Sequence, residues 1–71
     1  MDIRQLNALV AVVDHGTFSA AAKALHTVQS NISTHISRLE RELSVSLIDR
    51  SSGTLTEEGV LVVERARRIQ T

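Results

Sequence analysis

This sequence predicts a mainly α-helical fold of three helices, a short two-stranded β-hairpin and a further helix, and three observations predict it. Apolar residues recur at spacings of three and four over most of the chain. That periodicity lapses for only about three residues near His26, too few for a loop, so two helices must meet there at a tight turn. Leu47-Ile48 and Leu55 then bracket a polar turn at Ser52-Gly53, which reads as two very short strands.

In residues 3–14, Ile3, Leu6, Val10 and Val13 form one amphipathic face, which Leu9 and Val12 widen. Gly16 stops this helix, with His15 beside it, and Thr17 or Ser19 can cap the next. The second helix is short, with Phe18, Ala21, Ala22 and Leu25 as its apolar stripe and alanines at 20, 21, 22 and 24 that allow close approach. Ala22 lies at the expected crossing, and Leu25 and Ile32 are expected to fill the space between the helices. A turn this tight commonly needs one residue at positive φ, and His is among the non-glycine types enriched there, so His26 suits it. The third helix is expected to take Thr27 as its cap and to run over about 28–43, with Val28, Ile32, Ile36, Leu39 and Leu43 as its apolar side. The hairpin occupies about 47–55. Thr56 caps a last helix with Glu57 and Glu58 in its first turn and Arg65, Arg67 and Arg68 toward its other end, which complements the helix dipole through Thr71.

Seventy-one residues with 42% hydrophobic content suffice for one small domain, residues 1–56, and a trailing helix over 57–71. There are no cysteines, which removes disulfides and thiolate zinc ligands, and no histidine has a second ligand at metal spacing. Neither a metal nor a cofactor is expected. Serine, histidine and aspartate occur, but without a nucleophile elbow, a glycine-rich oxyanion loop or volume for a pocket, so no catalytic residue is assigned. The longest aliphatic run, Leu9 to Val13, is too short to span a bilayer, and Met1-Asp2 lacks the order of a signal peptide, so the expected compartment is the cytoplasm.

The formal net charge is +0, which is unusual for a chain that meets a polyanion. Its distribution is uneven: all 8 acidic residues lie outside positions 15 to 39, a window that holds Lys23, Arg38, His15, His26 and His35. A carboxylate-free stretch is what a phosphate-facing surface requires.

Two helices about so tight a turn, the second longer and polar outside, followed by a hairpin, describe a winged helix-turn-helix. Opposite its apolar side the third helix presents Ser30, Thr34, Ser37 and Arg41, flanked by Asn31, Ser33 and Arg38. Gln29 and Asn31 could each pair bidentately with adenine, Ser30, Ser33 and Thr34 offer short hydroxyls, and Arg38 can reach guanine or backbone. The bland alternative for this face is a solvated helix surface. Lys23 and His35 are read as flanking polar or phosphate contacts.

Over nearly its whole length the chain resembles the N-terminal domain of LysR-type transcriptional regulators. The likeness runs through Met1-Asp2-Ile3-Arg4-Gln5-Leu6, Gly16-Thr17-Phe18-Ser19, Ala21-Ala22, Leu25-His26 and Gln29-Ser30. It continues through Ile32-Ser33, Ile36, Arg38-Leu39-Glu40, Leu43, Leu47-Ile48-Asp49-Arg50 and Leu55-Thr56-Glu57-Glu58-Gly59. Thr27-Val28 stands where the family usually has an aliphatic residue followed by Ser or Thr, Ser30 stands where Pro is common, and the wing lacks extra basic residues between Arg50 and Leu55. The resemblance implies a DNA reader, dimeric on a two-fold related operator and working on the bacterial nucleoid. Gln29, Ser30, Asn31, Ser33 and Thr34 would contact bases; Ser19, Lys23, His35, Arg38, Arg50, Ser51 and Ser52 would contact the backbone, with the wing on the backbone or minor groove. Leu61, Val62, Arg65, Ala66 and Ile69 would form the homodimer stripe. A C-terminal domain that senses a small-molecule inducer would follow in the family and is absent from these residues. The rival expectation is a helical protein-protein interaction module without DNA binding, which the neutral charge favours.

Overall fold

The structure, a computed structural model, describes residues 1–70, so the part of the last helix expected at Thr71 lies outside the described residues. Three helices, α1 (Ile3–His15), α2 (Phe18–Ala24) and α3 (Gln29–Leu43), precede a hairpin of β1 (Ile48–Asp49) and β2 (Thr54–Leu55), and α4 (Glu57–Gln70) follows. The strands pair antiparallel, Ile48 with Leu55 and Asp49 with Thr54. The chain has the expected fold, a winged helix-turn-helix with a trailing helix.

Local chemistry sets the element ends. The Asp2 carboxylate accepts from the Gln5 amide while the Gln5 side chain accepts from the Asp2 amide, a reciprocal cap that satisfies two N–H groups at the start of α1. Gly16, at φ 88°, takes the left-handed conformation that ends α1, and its N–H donates to the Val12 carbonyl. Thr17 caps α2 by accepting from the Ala20 amide. His26 has φ 56°, as the tight turn demands, and Ser44 ends α3 at φ 57°. Thr56 caps α4 by accepting from the Gly59 amide, and its own hydroxyl donates to the Ser46 carbonyl.

Leu9, Ile32, Ile36, Leu39 and Leu47 are the largest fully buried side chains, so the core lies where α1, α3 and the start of the hairpin meet. Each such burial stabilises by about 1.5–3 kcal/mol. Ala21 and Ala22 are buried at the approach of α2, as small residues at a crossing should be.

Four sequence expectations are corrected. Ile3 and Val13 are exposed, while Leu6, Leu9, Val10 and Val12 between them are buried against the neighbouring helices. Leu25 does not fill the space between α2 and α3; it caps α2 in a non-helical conformation and is 41% exposed, leaving Ile32 to fill that space. Val28, not Thr27, is the N-cap of α3, and it is exposed and makes no side-chain cap bond; the Thr27 hydroxyl accepts instead from Asn31 Nδ2. In the dimer stripe, Ala66 is fully buried and Val62 half-buried in the chain's own core, because the inward face of α4 runs through Gly59, Val63 and Ala66. Leu61, Arg65 and Ile69 are exposed.

Two contacts fix α4. A Cβ placed on Gly59 would stand 2.1 Å from the Leu47 carbonyl oxygen, which also accepts from the Thr56 amide, so only glycine lets α4 meet the hairpin. Arg67 donates to both oxygens of Asp14, at 2.7 and 3.4 Å, and joins α4 to the end of α1. That pairing holds the Asp14 carboxyl below its usual range, mainly through the hydrogen bond from Arg67.

Gly59→Ala should lower stability by about 3 kcal/mol, the upper end for overpacking, as read by denaturant unfolding. An unchanged midpoint would mean that α4 is free to slide off the hairpin. Because the folded pKa of Asp14 is depressed, its contribution is present above the unfolded value and is lost as pH falls through the folded one. Between pH 5 and 3 the wild type should therefore lose more stability than Arg67→Gln, and equal losses would show that the pair has no weight in solution.

Candidate nucleic-acid interface

On α3 the apolar side chains face the core and leave Gln29, Ser30, Asn31, Thr34, Arg38 and Arg41 exposed, with Ser33 and Ser37 half-buried at the edge. The first turn contains no carboxylate and the N-cap supplies no side-chain bond, so the positive end of the helix dipole is open beside Gln29 and Ser30. Asn31 spends one N–H on Thr27, at 2.8 Å. Its second N–H and its Oδ1 remain, which is the donor-acceptor pair an adenine edge requires.

One flank of this face is a cleft of about 490 Å³ lined by Thr17, Phe18, Ser19, Gln29, Ser33 and Arg50, among others. It brings together residues from α2, α3 and the hairpin, and so places the expected backbone contacts Ser19 and Arg50 beside the expected base contacts Gln29 and Ser33. The other flank is a groove of about 250 Å³ where Arg4, Asn7, Leu25, Thr27 and His35 meet. His35 therefore lies apart from Ser19 and Arg50. Lys23 is exposed on α2.

Arg50 is held from two sides. Its Nη2 donates to Glu40 Oε1 at 3.3 Å, and its guanidinium lies 5.5 Å from the centroid of the Phe18 ring. The second oxygen of Glu40 accepts from the backbone N–H groups of Leu47 and Ile48, at 2.8 and 3.3 Å. One carboxylate thus fixes the start of β1 against α3 and aims the only cation of the hairpin. The sequence reading missed Glu40 and the Phe18–Arg50 contact. The available signal was an acid that directly follows the buried Leu39 and so sits at the edge of the apolar side of α3.

The hairpin tip is internally bonded. Asp49 Oδ1 accepts from the Ser51 hydroxyl at 2.6 Å and from its amide at 3.0 Å, which lowers the Asp49 pKa, and the Ser52 and Thr54 hydroxyls are 2.8 Å apart. Ser51 and Ser52 are exposed, yet both hydroxyls are engaged within the turn. Among the described residues no group of three or more His, Cys, Asp or Glu side chains could hold a metal ion, and no helix is long and apolar enough to cross a membrane.

The bacterial regulatory helix-turn-helix proteins of the lysR family match this chain over residues 3–60. An uncharacterized HTH-type transcriptional regulator of Azotobacter vinelandii is 44% identical over 71 residues, 97% of this chain and 49% of its own length. The DNA-binding transcriptional dual regulator OxyR of Escherichia coli K12 is 41% identical over the same share of this chain and 23% of its own length. The chain therefore spans about half or less of these curated relatives. Among solved structures, the complex of the CbnR DNA-binding domain with DNA is similar at a TM-score of 0.91 and 42% identity, covering 99% of this chain and 83% of that one. The BenM DNA-binding domain on the catB site 1 DNA is similar at a TM-score of 0.93 and 35% identity, covering 99% and 77%.

Glu40→Ala should cost about 2–3 kcal/mol of stability, the range for losing hydrogen bonds to a charged group. The amides of Leu47 and Ile48 should then exchange hydrogen faster relative to those of Ile36 and Leu39. Uniform acceleration across all four would mean that Glu40 holds the whole fold and has no particular tie to the hairpin.

Proposed function

The chain belongs to the LysR family of bacterial regulatory helix-turn-helix proteins, and from that membership we propose that residues 1–56 form a sequence-specific DNA-binding domain that carries out no catalysis. The observation that carries this reading is the exposed, carboxylate-free N-terminal half of α3, set beside a cleft that gathers Ser19, Gln29, Ser33 and Arg50. Its likeness to domains solved on DNA supports the same reading.

In this proposal α3 lies in the major groove with its N-terminus leading. Gln29 and Asn31 read adenine edges, while Ser30, Ser33 and Thr34 contact base edges or nearby phosphates. Ser19, Lys23, Arg38 and Arg50 hold the backbone, with His35 on the far flank. Ser51 and Ser52 act through the shape of the hairpin tip, since their hydroxyls and the Ser51 amide are already engaged. Residues 57–71 begin a linker helix whose exposed Leu61, Arg65 and Ile69 pair two chains on a two-fold related operator, with Val62 at the margin. In the whole protein a C-terminal domain would pass an inducer signal through that helix, and the protein would work on the nucleoid in the cytoplasm.

Lys23, Arg38 and Arg50 supply at least about three phosphate contacts per chain, so log K against log salt should fall with a slope of about −3 or steeper per chain. Salt-indifferent binding of a protein partner, with no duplex binding at low salt, would establish the interaction-module reading instead. Asn31→Ala and Thr34→Ala should each reduce the preference for a selected sequence over random duplex by about tenfold, equivalent to about 1.4 kcal/mol of base discrimination. Equal loss on both duplexes would remove these residues from base recognition and make them backbone contacts.

A further inference from the structure

The groove formed by Arg4, Asn7, Leu25, Thr27 and His35 lies on the flank of α3 away from Ser19 and Arg50. We propose that it is a second phosphate-binding site, which takes the phosphodiester backbone of the strand facing the one held by Ser19 and Arg50. The inference rests on the placement of α3 in the major groove.

An α-helix with its side chains is about 10–12 Å across and the major groove about 12 Å wide, so a helix lying in it meets both sugar-phosphate walls. Successive helical residues are set about 100° apart, which puts Ser33 and His35 on opposite sides of the outward-facing Thr34. Each lines its own groove: Ser33 the one with Arg50, His35 the one with Arg4. The second wall therefore falls against the Arg4 groove.

The groove has the donors a phosphate needs. The Arg4 side chain is 76% exposed, and its ion pair with Asp2 is long, at 3.8 Å. That pair is too loose and too solvated to immobilise the guanidinium. Arg4 also sits in the first turn of α1, where a cation opposes the helix dipole, so its charge is not placed there to stabilise that dipole. Thr27 Oγ1 accepts from Asn31 Nδ2, which leaves its hydroxyl proton to donate outward. The His35 ring adds an N–H. Asp2 is the carboxylate nearest this cluster, and its Oδ1 is committed to capping α1 through the Gln5 amide. The Thr27–Asn31 bond sets this groove beside a base-reading side chain.

The test compares the full chain with Arg4→Gln, Arg4→Lys and Thr27→Val on a selected duplex and a random-sequence duplex, each titrated from about 50 to 200 mM salt. Arg4→Gln should weaken both duplexes by the same factor, about 5- to 10-fold at the lower salt, and make the log–log slope shallower by about one. Arg4→Lys should keep the wild-type slope. Thr27→Val should weaken binding about 2- to 5-fold with no change in slope, since it removes a neutral donor. All three variants should melt like the wild type, because Arg4 is exposed and the Thr27 hydroxyl holds only a surface bond. If the wild type binds and Arg4→Gln matches it in affinity and slope, this site does not exist although the DNA-reading proposal stands. If the wild type ignores both duplexes, the DNA-reading proposal fails and takes this one with it.

Discussion

The carboxylate of Glu40 is where the parts of this small protein are joined. It lies on α3 one residue beyond the fully buried Leu39, accepts from the backbone of Leu47 and Ile48, and engages Arg50. A hairpin of two two-residue strands has too little pairing of its own to hold a geometry. Bonds from one anion to two backbone amides and a guanidinium supply that geometry from outside, and charge-assisted bonds are the strong ones. Through Arg50 and the ring of Phe18 the same carboxylate reaches α2. The cleft beside Ser19 and Gln29 thus keeps its shape because an acid on the inner edge of the reading helix holds its opposite wall.

Neutral overall charge becomes intelligible in this arrangement. Five of the eight acids are spent on structure: Asp2 caps α1, Asp14 binds Arg67, Glu40 anchors the hairpin, Glu42 pairs with the Met1 ammonium and Asp49 closes the turn. Arg38 and Arg41 stand exposed on α3 and Lys23 on α2, and Arg50 is half-exposed in its clamp. A polyanion therefore meets a locally basic surface on a molecule that sums to zero, and local rather than total charge governs attraction at contact range.

Much of this was legible in the sequence because it depends on short-range rules. Helical spacing located all four helices, Gly16 and Thr17 marked the first turn, and the positive φ at His26 followed from the brevity of the break. What failed depended on neighbours. Ile3, Val13 and Leu25 have the right residue type for a core but lie where no partner helix covers them, which periodicity along one helix cannot reveal. On α4 the same limit applies to two residues: Val62 and Ala66 face the chain's own interior, while Leu61, Arg65 and Ile69 stay exposed. At the site, the exposed residues from Gln29 to Thr34 were visible as a polar run. The second groove was not, since Arg4 and His35 are thirty-one positions apart and meet only in the fold.

The central claim is that the N-terminal half of α3 enters a duplex groove with the cleft at its side. The most direct measurement follows backbone amide chemical shifts of the isotopically labelled chain while a random-sequence duplex is added at low ionic strength. The account predicts that the perturbed amides cluster in residues 17–35 and 50–53, while those of Val63 and Ala66 on the inner side of α4 stay still. Perturbations centred on α4, or none at all, would contradict it.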